Sequence, residues 1–478
     1  MVSLRPRTVL ILGLLCVFEP LREPLFSAEP WTTYRGNPQR TANTDGVAGP
    51  AAPKVLWVLP SRDHFIAAPL PAGDRLYISG LGPFNVSTFY ALAIDPKAEQ
   101  RVAWSKTTPY LKLPTVSSPA VADGKLVFGD GMHQTDGATL HCLTADKGLP
   151  LWQLPVPGTL VHLEGSPTVS GNRAYLGGGA AGVLCVDVNR VTLDGKERSI
   201  GEVRTLLDRK WAELQAKYQE EKKKDPDFAV PPSEDALPKP APVKLWQQGR
   251  EKWHVDAPVA VLGDRVLAAS AYLDQEKLGD RALVCLDAHS GAVLWRAPLH
   301  LNPWGGPTVA GDTVVIGGST VRYDPKALKG ARGEVTALDL ATGKVKWQKE
   351  VPGGVLSCVA VADGLAVATA TDGKVRTFRL TDGERRTILD GKTPFFAPPA
   401  VVKGVAYVGD LSGVVTAVPL TGGAPRWRLD LGSAAGVKAP GMIYGGPAVQ
   451  GGRLFVATCN IEGPFAGKPT AVVCIGDQ

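Results

Sequence analysis

One short phrase recurs eight times along the chain and constrains its fold more than any other feature. It appears as AAPLPAGDRLYISG (67–80), SSPAVADGKLVFGD (117–130), GSPTVSGNRAYLGG (165–178), DAPVAVLGDRVLAAS (256–270), GGPTVAGDTVVIGG (305–318), SCVAVADGLAVATA (357–370), APPAVVKGVAYVGD (397–410) and GGPAVQGGRLFVAT (445–458). Each copy reads as a short strand opening near Pro, a tight turn such as ADGK or SGNR, and a second strand of alternating apolar and small residues. Behind most copies lies a second phrase, as in LVCLDAHSGAVLWRA and VTALDLATGKVKWQK, which predicts a third strand, an Asp/Thr-Gly turn and a fourth strand carrying Trp. Four antiparallel strands repeated eight times predict an all-β, eight-bladed propeller over 29–478. The 54 Gly and 40 Pro of the 478 residues suit many turns and short strands.

Tryptophan positions check the alignment. Trp57, Trp104, Trp152, Trp246, Trp295, Trp347 and Trp427 all fall in the predicted fourth strand. Their recurrence once per unit marks them as packing between blades rather than as chemistry. The sixth unit is the least regular: Thr387 stands in the expected Trp slot and Val359 in place of the leading Pro. The eighth copy ends without a fourth strand, whereas PKVLWVLPS (53–61) has the sequence of one and no blade before it. The N-terminal strand is therefore expected to complete the last blade and remove the open edge.

At 190–244 the repeat is interrupted. Ile200, Val203, Leu207, Trp211, Leu214 and Tyr218 step by three and four, which predicts an amphipathic helix over 200–218. It is expected to dock on the propeller's own side, or alternatively to offer its apolar stripe to a partner. The tail that follows, PDFAVPPSEDALPKPAPV, is expected to be extended or mobile.

Arg5 and Arg7 precede an apolar run at 9–18 that is too short to span a bilayer. Together they predict a secretory leader over 1–28, although Phe26 departs from the small residue usual before such a cut. Cys16 follows Leu15, which does not suit lipid attachment. The mature chain is expected to be exported, periplasmic or envelope-associated, monomeric and without a transmembrane segment. A net charge of +6 spread along the chain predicts solubility and no nucleic-acid partner.

Chemical motifs are sparse. GGGAAG (177–182) fits a dinucleotide-binding pattern but leads into the strand VLCVDV, where phosphate binding needs a helix N-terminus, so it is read as a strand-to-strand turn. No Cys-x-x-Cys-His, His-Glu-x-x-His, nucleophile elbow or phosphate loop occurs, and no clustered Cys/His spacing supports zinc, so no metal is expected. Cys142, Cys185, Cys285 and Cys474 share one repeat position with Ala337, Thr377 and Ala417, the mark of a small buried packing slot. The loops leading into the first strands converge on the channel mouth. They carry the ligand-binding candidates His64, His162, Trp253, His254, Asp256, Trp304, Phe396 and Tyr444, with Phe65, Glu164 and Phe395 beside them. Aromatic faces with a few polar groups suit a planar ligand or a peptide, or else plug the channel.

ALDLATGKVKW (337–347) resembles the tryptophan-docking repeat of the pyrroloquinoline-quinone (PQQ) propeller family, and WTTYRGNPQRTANTDG resembles its lead-in. That family contains quinone-dependent dehydrogenases and binding proteins such as the propeller lipoprotein of outer-membrane β-barrel assembly. The resemblance implies a non-catalytic binding or scaffolding protein of the cell envelope, with a protein partner or small ligand at the mouth and a second contact at helix 200–218. The alternative it implies is an alcohol or sugar dehydrogenase using PQQ and Ca2+, with Trp304 as a stacking floor and Asp256 as calcium ligand or base. Against that alternative, the chain lacks the adjacent cysteines common over the quinone. A third reading is a carbohydrate- or small-ligand-binding propeller. No cofactor is expected under the first.

Overall fold

A computed structural model describes residues 31–42, 45–133 and 135–477; the expected leader at 1–28 and Cys16 lie outside them. Among the described residues eight antiparallel sheets follow one another around a ring, their strands running outward from the centre in chain order except in blade 8, whose outer strand comes from the N-terminal end. Every blade opens with a three-residue inner strand, from Leu70–Ala72 in blade 1 to Ala448–Gln450 in blade 8. A two-residue turn reverses each into the second strand. In blade 6 this is Asp363 (φ 52°) and Gly364 (φ 72°), a left-handed pair that matches the strand twist.

Blade 8 closes as expected. Lys54–Ser61 runs antiparallel to Thr470–Gly476, with Trp57 opposite Cys474. The edge that would otherwise stand open at the ring's seam is thereby paired.

The tryptophans dock each blade onto the next. Each ring lies opposite the small third-strand residue, as in Cys142 with Trp152 and Ala337 with Trp347. Its indole N–H donates to a backbone carbonyl of the following blade: Trp57 to Ile94 (3.0 Å), Trp104 to Ala145 (3.1 Å), Trp152 to Val188 (3.3 Å), Trp246 to Ala288 (3.1 Å), Trp295 to Leu340 (3.0 Å), Trp347 to Leu380 (2.8 Å) and Trp427 to Pro50 (2.8 Å). For Trp104, Trp246, Trp295 and Trp347 the indole face covers a turn glycine of that blade (Gly148, Gly291, Gly343 and Gly383): a Cβ on Gly343 (φ 70°) would lie 2.5 Å from Trp295. Blade 6 is the exception, and its slot is Arg386 rather than Thr387. Thr377 pairs with Arg386, because the bulge in this blade falls between Val375 and Arg376 instead of just after the slot.

The lead-in does more than precede the first strand. Residues 31–42 thread the channel: the backbone N–H groups of Val121, Val261, Val309 and Val361, in four different blades, donate to Thr32, Pro38, Gln39 and Thr41. Arg40, fully buried, donates to the carbonyls of Val259 (2.7 Å), Tyr34 (2.9 Å) and Ser166 (2.8 Å). Among the described residues no carboxylate meets it there. Its charge is spread over backbone dipoles of two blades and the lead-in itself.

The insertion packs against blades 2 and 3. The helix Ile200–Lys224 starts with a capping box, Ser199 with Glu202, and ends on three lysines that complement the negative end of its dipole. It therefore runs six residues beyond the expected 218. Val203 and Leu207 are buried with Val188 and Val191, and Trp211 and Leu214 are half-buried beside them, so the apolar stripe is spent on the chain's own side. The Pro-rich tail is pinned as well, through Lys106 to Glu234 (2.6 Å), Lys112 to Asp235 (3.1 Å) and the buried Leu237. Among the described residues no helix is long and apolar enough to cross a membrane.

Candidate functional site

A cavity of about 430 Å³ opens at the mouth, with Tyr34 of the lead-in contributing to its lining. Its two sides differ in chemistry.

The wall from blades 5 to 8 is aromatic. Trp304 precedes the first strand of blade 5, and the Arg322 guanidinium lies 5.1 Å over its ring. Tyr444 precedes blade 8 and donates its hydroxyl to Glu462 (3.0 Å). Phe396 is buried beneath, edge-on to both Tyr444 and Tyr323, with ring centroids 5.2 and 5.5 Å away. The wall is thus braced from behind. Trp304 Nε1 finds no hydrogen-bond acceptor among the described residues.

The wall from blades 2 to 4 is an imidazole–carboxylate cluster. His162 and His254 are fully buried, while His133 and Asp256 reach the cavity. The three rings stand 5.2 to 5.7 Å apart, centroid to centroid. His254 Nε2 meets Asp256 Oδ2 at 2.9 Å, and His162 Nε2 lies 3.3 Å from Asp256 Oδ1. The latter contact lacks hydrogen-bond geometry, so both nitrogens of His162 remain without a hydrogen-bond partner among the described residues. Glu164 accepts from the backbone N–H of His133.

Burial lowers the His162 pKa to about 4, although Asp256 pulls the other way, and the ring is neutral at pH 7. Burial and the neighbouring Asp256 charge raise Glu164; for Asp256 burial is outweighed by the imidazoles, which hold it low. Two carboxylates in one wall are driven apart in acidity.

Of the sequence candidates, Asp256, Trp304 and Tyr444 line the cavity, and His162 and His254 stand directly behind Asp256. Phe396 supports the aromatic wall without lining it. His64 and Trp253 are used elsewhere: His64 accepts from the Asn460 N–H (3.1 Å), and Trp253 packs on Gly249. The turn 177–182 is indeed strand-to-strand, and a Cβ on its Gly179 (φ 56°) would meet His162 Nε2 at 2.9 Å. The glycine is needed to seat the imidazole.

Sequence reasoning missed His133, Arg322, Tyr323 and Glu462. All belong to loops between second and third strands, at 130–137, 320–331 and 458–469. Loop length was the available signal: the matching loops of blades 6 and 7 span only 370–373 and 410–413. No metal was expected because no local ligand spacing exists. The structure nevertheless gathers ligand atoms of His133, His162, His254 and Asp256 within 4.8 Å of one another.

Calcium does not suit this wall. It favours about six to eight oxygen ligands, whereas three imidazoles outnumber the carboxylate here. Asp256, bonded to His254, is also a poor free base.

An eight-bladed, tryptophan-docked propeller with a lined cavity at its mouth defines the class. Residues 47–212, 243–327 and 305–474 match the family described as outer membrane protein assembly factor BamB, and the chain belongs to that family. Curated relatives include BamB of Nitrosomonas eutropha, 29% identical over 163 residues, covering 33% of this chain and 37% of that protein. BamB of Yersinia pestis is 27% identical over 167 residues, covering 32% and 39%. The chain therefore spans well under half the length of these two relatives. BamB from Moraxella catarrhalis superposes with a TM-score of 0.56 at 15% identity, over 88% of this chain and 97% of that one. Quinohemoprotein alcohol dehydrogenase from Comamonas testosteroni gives 0.60 at 12% identity, over 94% and 80%. At such identities the structural likeness speaks for the fold alone.

Proposed function

We propose that this chain is a non-catalytic binding propeller of the cell envelope, exported through the leader expected at 1–28, that holds a segment of a protein partner at its mouth. The observation that carries the reading is the braced aromatic wall of Trp304, Arg322 and Tyr444 facing a cavity large enough for a few side chains. Membership of a family described by its outer-membrane assembly factor points the same way. Against quinoprotein dehydrogenase chemistry stand the nitrogen-rich wall, the tethered Asp256 and the missing cysteine pair.

A photo-crosslinking residue at Ile461, on the cavity rim, tests this in the native envelope. Protein adducts are expected, and Trp304→Ala should reduce them by about tenfold, the loss of one anchor worth about 1.4 kcal/mol. In parallel, the purified chain is mixed with PQQ and calcium and assayed for dye reduction with alcohols and sugars. Dye turnover above the blank, or adducts indifferent to Trp304→Ala, would sink the reading.

A further inference from the structure

We infer that His133, His162, His254 and Asp256 form a binding site for one divalent transition-metal ion of the zinc type, set in the wall of the mouth cavity. This goes beyond the partner-binding reading and does not rest on it.

Three observations converge. First, the residues come from the second-to-third strand loop of blade 2 and the lead-ins of blades 3 and 4, yet each places a ligand atom within 4.8 Å of all the others. Such convergence of three imidazoles and a carboxylate is the donor chemistry that zinc and its first-row neighbours prefer.

Second, His162 is fully buried with neither ring nitrogen hydrogen-bonded among the described residues, and His254 Nδ1 is likewise without a partner. A buried imidazole ordinarily satisfies its polar atoms, and a central ion would take up one of the two open nitrogens of His162.

Third, the surroundings hold the rings in place. Gly179, whose φ of 56° favours glycine, sits under His162, and Gly279 lies where a Cβ would come 3.0 Å from the Cβ of His254. Glu164 holds the His133 backbone and lies 3.6 Å from His162 Nδ1; Glu276 lies 3.8 Å from His133 Nε2. Neither distance is a hydrogen bond, but both carboxylates stand where a small turn of the ring would let them take the outer N–H of an imidazole whose other nitrogen binds a metal.

His133 and Asp256 border the cavity, so an ion held there would be open to a donor atom of whatever enters it.

The test uses the full chain, stripped with chelator, loaded with Zn2+ or Co2+ and passed through a desalting column. Metal per chain is read by mass spectrometry and, for cobalt, by visible d–d absorption. One retained equivalent is expected. His133→Ala and Asp256→Asn should each weaken affinity by at least ~100-fold, because loss of even an outer-shell partner costs ~10–100-fold. His133 is only partly buried, so its variant should fold; far-UV circular dichroism checks this. His289→Ala, at an exposed His–Asp pair on another face, should retain the ion. Retention of no ion by the wild type, or equal retention by His133→Ala and wild type, would overturn the inference. A cobalt spectrum unchanged by Asp256→Asn would remove Asp256 from the ligand set and overturn the site as stated.

Discussion

The outer belt and the mouth are made by the same eight units under opposite rules. At the belt, one residue type repeats: seven indoles make the same hydrogen bond to the next blade. At the mouth the blades fall into unlike groups: blades 2, 3 and 4 bring imidazoles, where blades 5, 7 and 8 bring the aromatic rings Trp304, Phe396 and Tyr444. Repetition suits a role in which every interface must be equally sound, whereas recognition needs the units to differ. Stability and binding should therefore separate by region.

The largest expected effect is at the belt. Trp152, almost wholly buried, should cost about 3–5 kcal/mol on replacement by Ala, read as a fall in the guanidinium midpoint. In the same repeat slot, exposed Arg386→Ala should change stability by less than about 0.5 kcal/mol. Similar losses at the two slots would show that docking does not depend on the indole.

Arg40→Ala comes next, at about 2–3 kcal/mol, because removing the guanidinium strands the buried carbonyls of Val259 and Ser166. Its effect tests whether the lead-in is a structural member of the ring or only lies within it. Trp304→Ala, at the mouth, should shift stability by under about 1 kcal/mol while reducing partner adducts, the reverse of the belt pattern. A large stability loss there would erase the contrast between the regions.

The finest probe is thiol chemistry. The six described cysteines are free and buried, and burial raises Cys185, Cys459 and Cys474 to about 12, so thiolate is scarce. The native chain should react with an aromatic disulfide reagent only on unfolding. In Trp152→Ala, Cys142 across the strand pair should become the first thiol to react, followed by peptide mass mapping.

Much of the belt was legible in the sequence. Trp347, the small residue opposite it and the turn glycine recur at nearly constant spacing, since each performs one local task per blade. The N-terminal clasp was legible for the same reason: an unmatched fourth strand and a blade lacking one imply each other. Arg386 shows the limit, because a displaced bulge shifts the slot by one residue and no letter marks it. At the mouth, His162, His254, Asp256, Trp304 and Tyr444 could be picked out by position in their loops. His133 could not, because its neighbours in space lie 29 and 121 positions along the chain at His162 and His254. The pinned Pro-rich tail escaped for a related reason, since its anchors are Lys106 and Lys112 of blade 1.

By itself the sequence determined the number of blades, their strand order, the closure and the packing belt. These follow from local propensity and periodic burial, which one unit's residues carry within themselves. Only the tertiary structure decided that the lead-in threads the channel, that the helix spends its apolar stripe on blades 2 and 3, and that three distant histidines face one carboxylate. Those outcomes depend on closing the ring, which brings loop ends together at distances that chain separation does not encode.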